Sequence, residues 1–468
     1  MLIVRTRDPV GRLRVEGLEI VDAEGTPVSL RGANLGAWLF VETWMNLFDY
    51  PLHGRVVTEG ERAGIRDAVV TAVRATRRPT SGETADAYLT RLESALPSGA
   101  DPEAFSEVRA ETLGCARVDD DSDAPLRAAL EARFGVAGRD QFLDAYQDAW
   151  ITEADVIALH ERGANLVRVP TGYRSYLEGS DGDPITLPLR LREATFARLD
   201  RLLDWCEAHG VRAILDLQES IGGHNDYSGP ARLYEDPAAQ EATIALWRAI
   251  ADRYRDRDSV AAYSLLAEPF GAPTVEAMID MYDRLHDAIR ADGDDHILII
   301  HDGFMGVSSL PVASEIGWTN VVYSTHLFEW GSDSLRDYEG LTMLWRASFN
   351  AARERQGVPF FVGSFSTLSD APWAWEAFDL VTQFFSDQGY SWSVWAWKRL
   401  DDPLDEELFG DGATGWGVYR SPATGTLRHL DLCHDELSTL IAGVADLRTS
   451  GLVPNPSFDS AFTAATTR

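Results

Sequence analysis

Short, continuously apolar runs alternate eight times with amphipathic helical stretches, and this alternation predicts a closed (β/α)8 barrel. Two further observations support it. The apolar runs lack the in–out alternation of half-solvated strands, as expected of parallel strands covered on both faces. The stretch Arg31-Gly32-Ala33-Asn34-Leu35-Gly36 lacks the G-x-G-x-x-G loop that would favour an open doubly wound sheet.

The elements read as follows. Leu13 to Leu30 contains short strands broken by turns (LRVEG, LEIVD), an N-terminal strand pair. Ser29 to Asn34 is the first barrel strand. Residues 55–148 are rich in Ala, Arg and Glu with helical periodicity, broken at RRPTSGET and LPSGADPEA, and read as a helical insertion after that strand. Its acidic run, Asp119, Asp120, Asp121 and Asp123, fits a solvated connection better than a calcium loop. Strands are then expected at Asn165–Pro170, Ala213–Leu217, Ala261–Leu266, Ile297–Ile300, Val321–Thr325, Phe360–Gly363 and Trp392–Trp397. The helices between them are Glu153–Arg162, Glu193–His209, Pro237–Tyr254, Val275–Ala291, Arg336–Gln356 and Trp373–Gln388. A last helix is expected near Leu430–Ile441, making residues 1–450 one domain and 451–468 a C-terminal tail.

Composition narrows the function classes. The 468 residues would suit roughly three average domains, but one barrel with insertions can use them all. Hydrophobic residues at 45% and charged residues at 25% supply a large core and exclude a mostly disordered chain. With 74 acidic against 42 basic residues, the formal charge of −32 repels phosphate backbones and anionic lipid, so neither nucleic acid nor membrane is an expected partner. No run approaches the ~20 apolar residues that span a bilayer. The N-terminal MLIVRTRDPVGRLRVEG lacks an apolar stretch with a small-residue cleavage site, so a cytoplasmic location is expected. Cys115, Cys206 and Cys433 are too few and scattered for a disulfide frame or zinc site. Oligomeric state is left open.

In such barrels chemistry collects at the C-terminal strand ends. Those ends read RGANLGAWLFVETW, NLVRVPTGY, ILDLQES with IGGHNDYSG, YSLLAEPFG, IIHDGF, YSTHLFEW, FVGSFS and WSVWAWK. Arginine, glutamate, histidine and tryptophan converging on one rim suit a neutral polyol with a face to stack on, a carbohydrate, rather than a phosphate or a nicotinamide. His224, His301 and His326 show no i, i+4 pairing and no cysteine partner, so no metal is expected, and no organic cofactor is implied. Glu268, after an apolar run and before a proline, would be costly to bury without a role. Trp395 and Trp397 alternate across a strand, and Trp397 is assigned to the core.

On these motifs the chain resembles glycoside hydrolase family 5, in its exo-β-1,3-glucanase and β-glucosidase branch, over roughly residues 28–400 outside the insertion. The resemblance implies roles by position. Glu268 in LLAEPFG falls on the acid/base glutamate, and Arg168 in VRVPTGY on the arginine beside the nucleophile. Glu42 falls on a sugar-hydroxyl ligand, Asn225 in GGHN lies near the substrate, His326 matches the sixth-strand histidine and Trp395 the tryptophan that floors the −1 sugar site. The implied activity is hydrolysis of a β-glucoside or short β-glucan-like oligosaccharide.

The departures bear on mechanism. The family's nucleophilic glutamate position holds Ser364, the asparagine before the acid/base holds Ala267, the tyrosine after the histidine holds Phe328, and Asp-Leu-His reads Asp216-Leu217-Gln218. A retaining glycosidase needs two carboxyls about 5–5.5 Å apart. A neutral serine hydroxyl neither stabilises an oxocarbenium-like charge nor attacks without an adjacent base. Three readings follow. First is an altered mechanism, in which Glu268 stays the general acid and water enters with another carboxylate, for which Glu329, Glu219, Asp226 and Asp370 are candidates. Second is a catalytically inactive sugar-binding pseudoglycosidase. Third is an engineered nucleophile variant of a retaining β-glucosidase, which would explain Ser364 but not Ala267, Phe328 or Gln218.

Overall fold

A computed structural model of the chain describes residues 10–49, 122–227, 229–329, 332, 334–367, 372–400, 416–422, 427, 430–432 and 435–468. An N-terminal hairpin, β1 (Arg14–Glu16) and β2 (Glu19–Val21), precedes the first barrel strand, β3 (Arg31–Asn34). A two-residue strand, β4 (Phe48–Asp49), follows. The remaining barrel strands are β5 (Leu166–Gly172), β6 (Arg212–Glu219), β7 (Val260–Ser264), β8 (Ile297–His301), β9 (Val321–Phe328), β10 (Phe360–Ser366) and β11 (Ser391–Val394). They close in the order β10-β11-β3-β5-β6-β7-β8-β9, all parallel. Beyond the barrel, β12 (Tyr419–Arg420), β13 (Leu430–Asp431) and β14 (Val453–Pro454) are short pairing segments. The fold is the (β/α)8 barrel with its N-terminal strand pair.

The helices in chain order are α1 (Ala124–Trp150), α2 (Glu153–Glu161), α3 (Tyr173–Tyr176), α4 (Glu193–His209), α5 (Pro237–Tyr254), α6 (Val275–Ala291), α7 (Leu335–Gln356), α8 (Pro372–Asp387), α9 (Leu437–Gly443) and α10 (Pro456–Thr466). Local chemistry sets many of the ends. Thr152 and Asp155 form a capping box for α2, Asp236 caps α5 ahead of Pro237, and left-handed glycines, Gly210 and Gly357, stop α4 and α7. Two apolar layers result. Leu166, Ile214, Ile299, Val322 and Phe361 fill the barrel's interior, while alternate strand residues pack outward on the helices.

Three expectations need restating. The insertion at 55–148 lies outside the described residues up to 121; the rest belongs to α1, which leaves helical geometry at Gly135 (φ 69°, ψ 174°). Trp38 Nε1 donates to Gln147 O (2.8 Å) and Trp150 Nε1 to Gly36 O (2.9 Å), so α1 braces the loop after β3. The helix expected from Leu430 begins only at Leu437. Leu430 and Asp431 instead pair in parallel with Phe48 and Asp49, with Leu430 N donating to Leu47 O (2.9 Å). The stretch 451–468, expected as a tail, holds α10, whose Phe458 stacks on Trp375 (5.5 Å, 29°) and meets Phe378 edge-on (5.6 Å, 72°), both on α8. Its apolar stripe has a partner in the helical layer, which is why it is ordered.

Candidate active site

The C-terminal strand ends open into a cavity of about 850 Å³ lined by Glu42, Arg168, Gln218, Tyr227, Glu268, Asp302, His326, Glu329, Ser364 and Trp395, with Trp44, Phe304, Phe328 and Trp416 among its aromatic walls. Six of the seven residues singled out from the sequence therefore meet there. Asn225 does not. Its amide donates to Ala267 O (3.3 Å) and reaches Glu268 O (3.5 Å), while its Oδ1 accepts from Tyr227 N (3.4 Å). An asparagine at a strand end serves the backbone as readily as a ligand. Here it holds the peptide ahead of Glu268 rather than facing the cavity.

His224 Nε2 also donates to Ala267 O (2.5 Å), and its Nδ1 accepts from Ser220 N (3.3 Å). Burial pushes this imidazole down to about 4, so it stays neutral with one nitrogen donating and one accepting. These contacts hold Glu268 at φ 52°, a left-handed conformation that a non-glycine residue adopts only when its surroundings enforce it.

The Glu268 carboxyl is gripped on both oxygens. Tyr227 Oη donates to Oε2 (2.6 Å), and His326 Nδ1 lies 2.5 Å from Oε1. Burial, aided by the Arg168 charge, holds His326 well below the ordinary histidine range. The neutral ring pairs its Nδ1 with the Glu268 carboxyl. Its Nε2 turns toward β10, so close that a Cβ on Gly363 would lie 2.7 Å away. Glycine at 363 is thus required by the ring, and the β9–β10 register shifts there, between Val362 and Ser364. Tyr227 carries no periodic signal, but it sits two residues after Asn225 in the quoted IGGHNDYSG loop.

Arg168, fully buried on β5, is fixed by Asn34 Oδ1 (2.7 Å from Nη1) and Asp216 Oδ1 (2.8 Å from Nη2). Asn34 in turn donates to Gly363 O (3.2 Å) and Val394 O (3.1 Å), tying β3 to β10 and β11. Ser364, on β10 beside His326, is buried, and its Oγ makes no hydrogen bond among the described residues. Trp395 lies against Gly36, where a Cβ would come within 3.1 Å of the indole. Trp44 packs on Trp395 (6.4 Å) and edge-on to Trp416 (5.2 Å), Phe328 stacks on Trp416 (5.8 Å, 27°), and the Arg399 guanidinium lies over Trp44 (5.3 Å). Trp397 is core, as expected: its Nε1 donates to Asp155 Oδ1 (2.9 Å).

The other carboxylates divide clearly. Glu329 lines the cavity, half-buried, and burial raises its pKa. Glu219 is locked by Arg174, Asp226 is exposed and off the cavity wall, and Asp370 lies outside the described residues. Asp302, which no sequence motif singles out, also lines the cavity. Its Oδ1 accepts from Thr325 Oγ1 (3.1 Å) and Phe304 N (3.1 Å), and burial pushes it up to about 6. Among the described residues, no group of three or more His, Cys, Asp or Glu side chains could hold a metal ion, and no helix is long and apolar enough to cross a membrane.

Comparison with known proteins bears on the family and the fold. The family model described as cellulase (glycosyl hydrolase family 5) matches residues 129–401, more than half of the chain. The chain belongs to glycosyl hydrolase family 5. A β-xylosidase of Phanerodontia chrysosporium is 27% identical over 322 residues, covering 67% of this chain and 51% of that protein. Glucan 1,3-beta-glucosidase 2 of Saccharomyces cerevisiae is 29% identical over 207 residues, 40% of this chain and 36% of that protein. The chain thus spans about half or less of these curated relatives' length. Among solved structures, an endogalactoceramidase aligns with a TM-score of 0.51 at 16% identity, covering 93% of this chain and 84% of that one, a likeness of fold.

Proposed function

We infer that this family-5 chain is a glycosidase acting on the O-glycosidic bond of a β-glucoside or short β-glucan-like oligosaccharide. Family membership and the glucosidase and xylosidase names of its relatives support the reaction class. The observation that carries it is Glu268, held on both oxygens at the wall of a cavity that also contains Trp395. Glu268 protonates the leaving oxygen, Trp395 offers the sugar an apolar face, and Arg168, His326 and Glu42 border the same space.

Ser364 stands at the nucleophile position, so the usual double displacement does not operate. The reading that fits best is direct attack by water, with Glu329 as base. Glu268 follows β7 and Glu329 follows β9, toward β10 and Ser364, so the two carboxyls border different parts of one cavity. Such an enzyme inverts the anomeric centre. A pseudoglycosidase that only binds sugar is the second reading. It is favoured by the unbonded Ser364 Oγ and by an Arg168 already engaged by Asn34 and paired in charge with Asp216.

The test is a turnover screen of the protein and its Ser364→Glu variant on aryl β-glycosides and β-linked disaccharides, with product anomers followed by NMR. Turnover by the unaltered protein with inversion supports the water mechanism. Turnover only by the variant, with retention, makes the chain a binding protein on a family-5 frame.

A further inference from the structure

Strand β9 has two faces, and the cavity touches both. Val322 lies in the barrel's inner cluster while Val321 and Tyr323 lie in the outer one, so even-numbered residues face inward and odd-numbered ones face the helices. His326 and Phe328 line the cavity, as expected of the inward face, but so do Thr325 and Leu327. The cavity therefore does not end at the barrel mouth. It passes over the end of β9 into the layer between β9 and α7, where Trp345 and Phe349 form its far wall.

That layer is normally filled by interdigitated side chains. Here α7 buries Trp345 and Ala352 but no side chain between them, and Phe349 is only half-buried although its ring meets Phe360 at 4.9 Å and stacks under Trp345 (6.5 Å, 6°). The inward stripe of α7 therefore leaves the Phe349 ring partly open to the cavity at this level. The arm's chemistry differs from that of the sugar end. Its walls are Leu327, Trp345 and Phe349, and the Thr325 hydroxyl is already given to Asp302. Among the described residues that wall the arm, a second sugar ring would find no side-chain partners for its hydroxyls, and it would lose its hydration uncompensated. An alkyl chain would lose only water. At about 850 Å³, the whole cavity lies toward the upper end of the roughly 300–1,000 Å³ typical of sites for drug-sized ligands, room for more than one sugar.

We propose that the arm between β9 and α7 receives a flexible alkyl aglycone, so that the substrates of this site are β-glucosides of hydrophobic alcohols. This rests on the glycosidase reading for the sugar end. It adds a determinant of specificity that lies outside the residues contacting the sugar.

The experiment measures binding by calorimetry, below micelle-forming concentrations, for methyl, butyl, hexyl and octyl β-D-glucosides and for the matching free alkanols. Binding rather than turnover is read, so the result does not depend on what Ser364 does. Affinity should rise about threefold to fourfold per methylene until the arm is filled. Leu327→Trp, which fills the arm, should flatten that rise while leaving methyl glucoside binding unchanged. Phe349→Ala, which widens the arm, should lengthen the series before the plateau and serves if the first variant folds poorly. A flat series with methyl glucoside still bound overturns the arm and leaves the sugar site standing. A rise that survives in both variants places the chain elsewhere and also overturns it. Free alkanols binding with the same chain-length dependence while no glucoside shows added affinity would keep the arm and refute the sugar reading.

Discussion

The two sides of the barrel mouth have been treated differently. On the side of β6 to β9, a carboxylate is fully furnished: Glu268 takes hydrogen bonds from Tyr227 and His326, and its peptide is held by His224 and Asn225. On the side of β10, β11 and β3, the strands are equally well tied, through Asn34, but what they present is Ser364 with an unbonded hydroxyl. Arg168, which would face a nucleophilic carboxylate there, is committed to Asn34 and Asp216. On the proposed reading, the half that holds Glu268 donates the proton and keeps its supports, while the β10 half presents a hydroxyl in place of a reacting carboxylate. A frame alone does not define the chemistry run on it; one side chain decides whether the second half acts by attack or by admitting water.

The largest effect that could break this comparison is expected at Glu268. Glu268→Gln keeps the size and the contact with Tyr227 but cannot give up a proton. General acid catalysis is worth typically 10²–10⁴-fold, so kcat on alkyl β-glycosides should fall by about that factor. Loss should be much smaller on aryl glycosides whose leaving group needs no protonation. Unchanged kcat on the alkyl substrate, measured side by side with the unaltered protein, would mean the furnished half is not the acid.

Ser364→Glu tests the other half. It places a carboxylate beside His326 and within reach of the Arg168 region, and double displacement then becomes available. Aryl glycoside turnover should rise by one to three orders of magnitude, about 10–10³-fold, with retained product anomers. A variant that folds, binds sugar and shows no gain would mean the β10 side has diverged beyond the one residue.

The sequence makes one half of this legible and blurs the other. Helices α4, α5 and α6 match their expected bounds because each carries an apolar stripe and a defined end: Pro237 after Asp236, Gly210 after His209 and Thr274 before Val275. Strand ends at Glu268, Arg168, Ser364 and Trp395 are legible because a motif fixes them to a rim. Tyr227 is not, since a tyrosine in a loop has no period, and its partner is 41 residues away in sequence. Asn225 reads as a sugar ligand because an amide's choice between backbone and substrate is made by tertiary contact. Leu430 to Ile441 reads as one helix because its leucines suit that spacing, whereas two of the backbone positions are taken by pairing with β4.

A smaller effect concerns the base. Burial raises the Glu329 carboxyl above the usual glutamate range. A general base must be ionised, so kcat/KM should fall on the acid side at a pH above that of an exposed glutamate. Glu329→Gln should remove this limb and lower turnover by about 10²-fold, if water attacks from its side. An unchanged acid limb in the variant would exclude Glu329 as the base, and Asp302 would be the next carboxyl to test on the same wall.

The smallest effect, on stability alone, asks what the furnished half costs. Burial raises the Asp302 carboxyl to about 6 from its ordinary 3.8, against the pull of Thr325 and the Phe304 amide. A carboxyl raised in the folded state contributes stability that is fully present below its unfolded value and is lost as pH climbs through about 6. Ionised Asp302 is therefore a burden above that pH. Asp302→Asn keeps an oxygen for Thr325 and the Phe304 amide but never ionises. Its melting temperature relative to the unaltered protein should rise between pH 4 and pH 8, by the equivalent of up to about 3 kcal/mol, since a tenfold change in a proton-binding constant on folding corresponds to about 1.36 kcal/mol. A difference independent of pH would mean that the charge is offset within the cavity, and the site would then hold two carboxylates at neutral pH without cost.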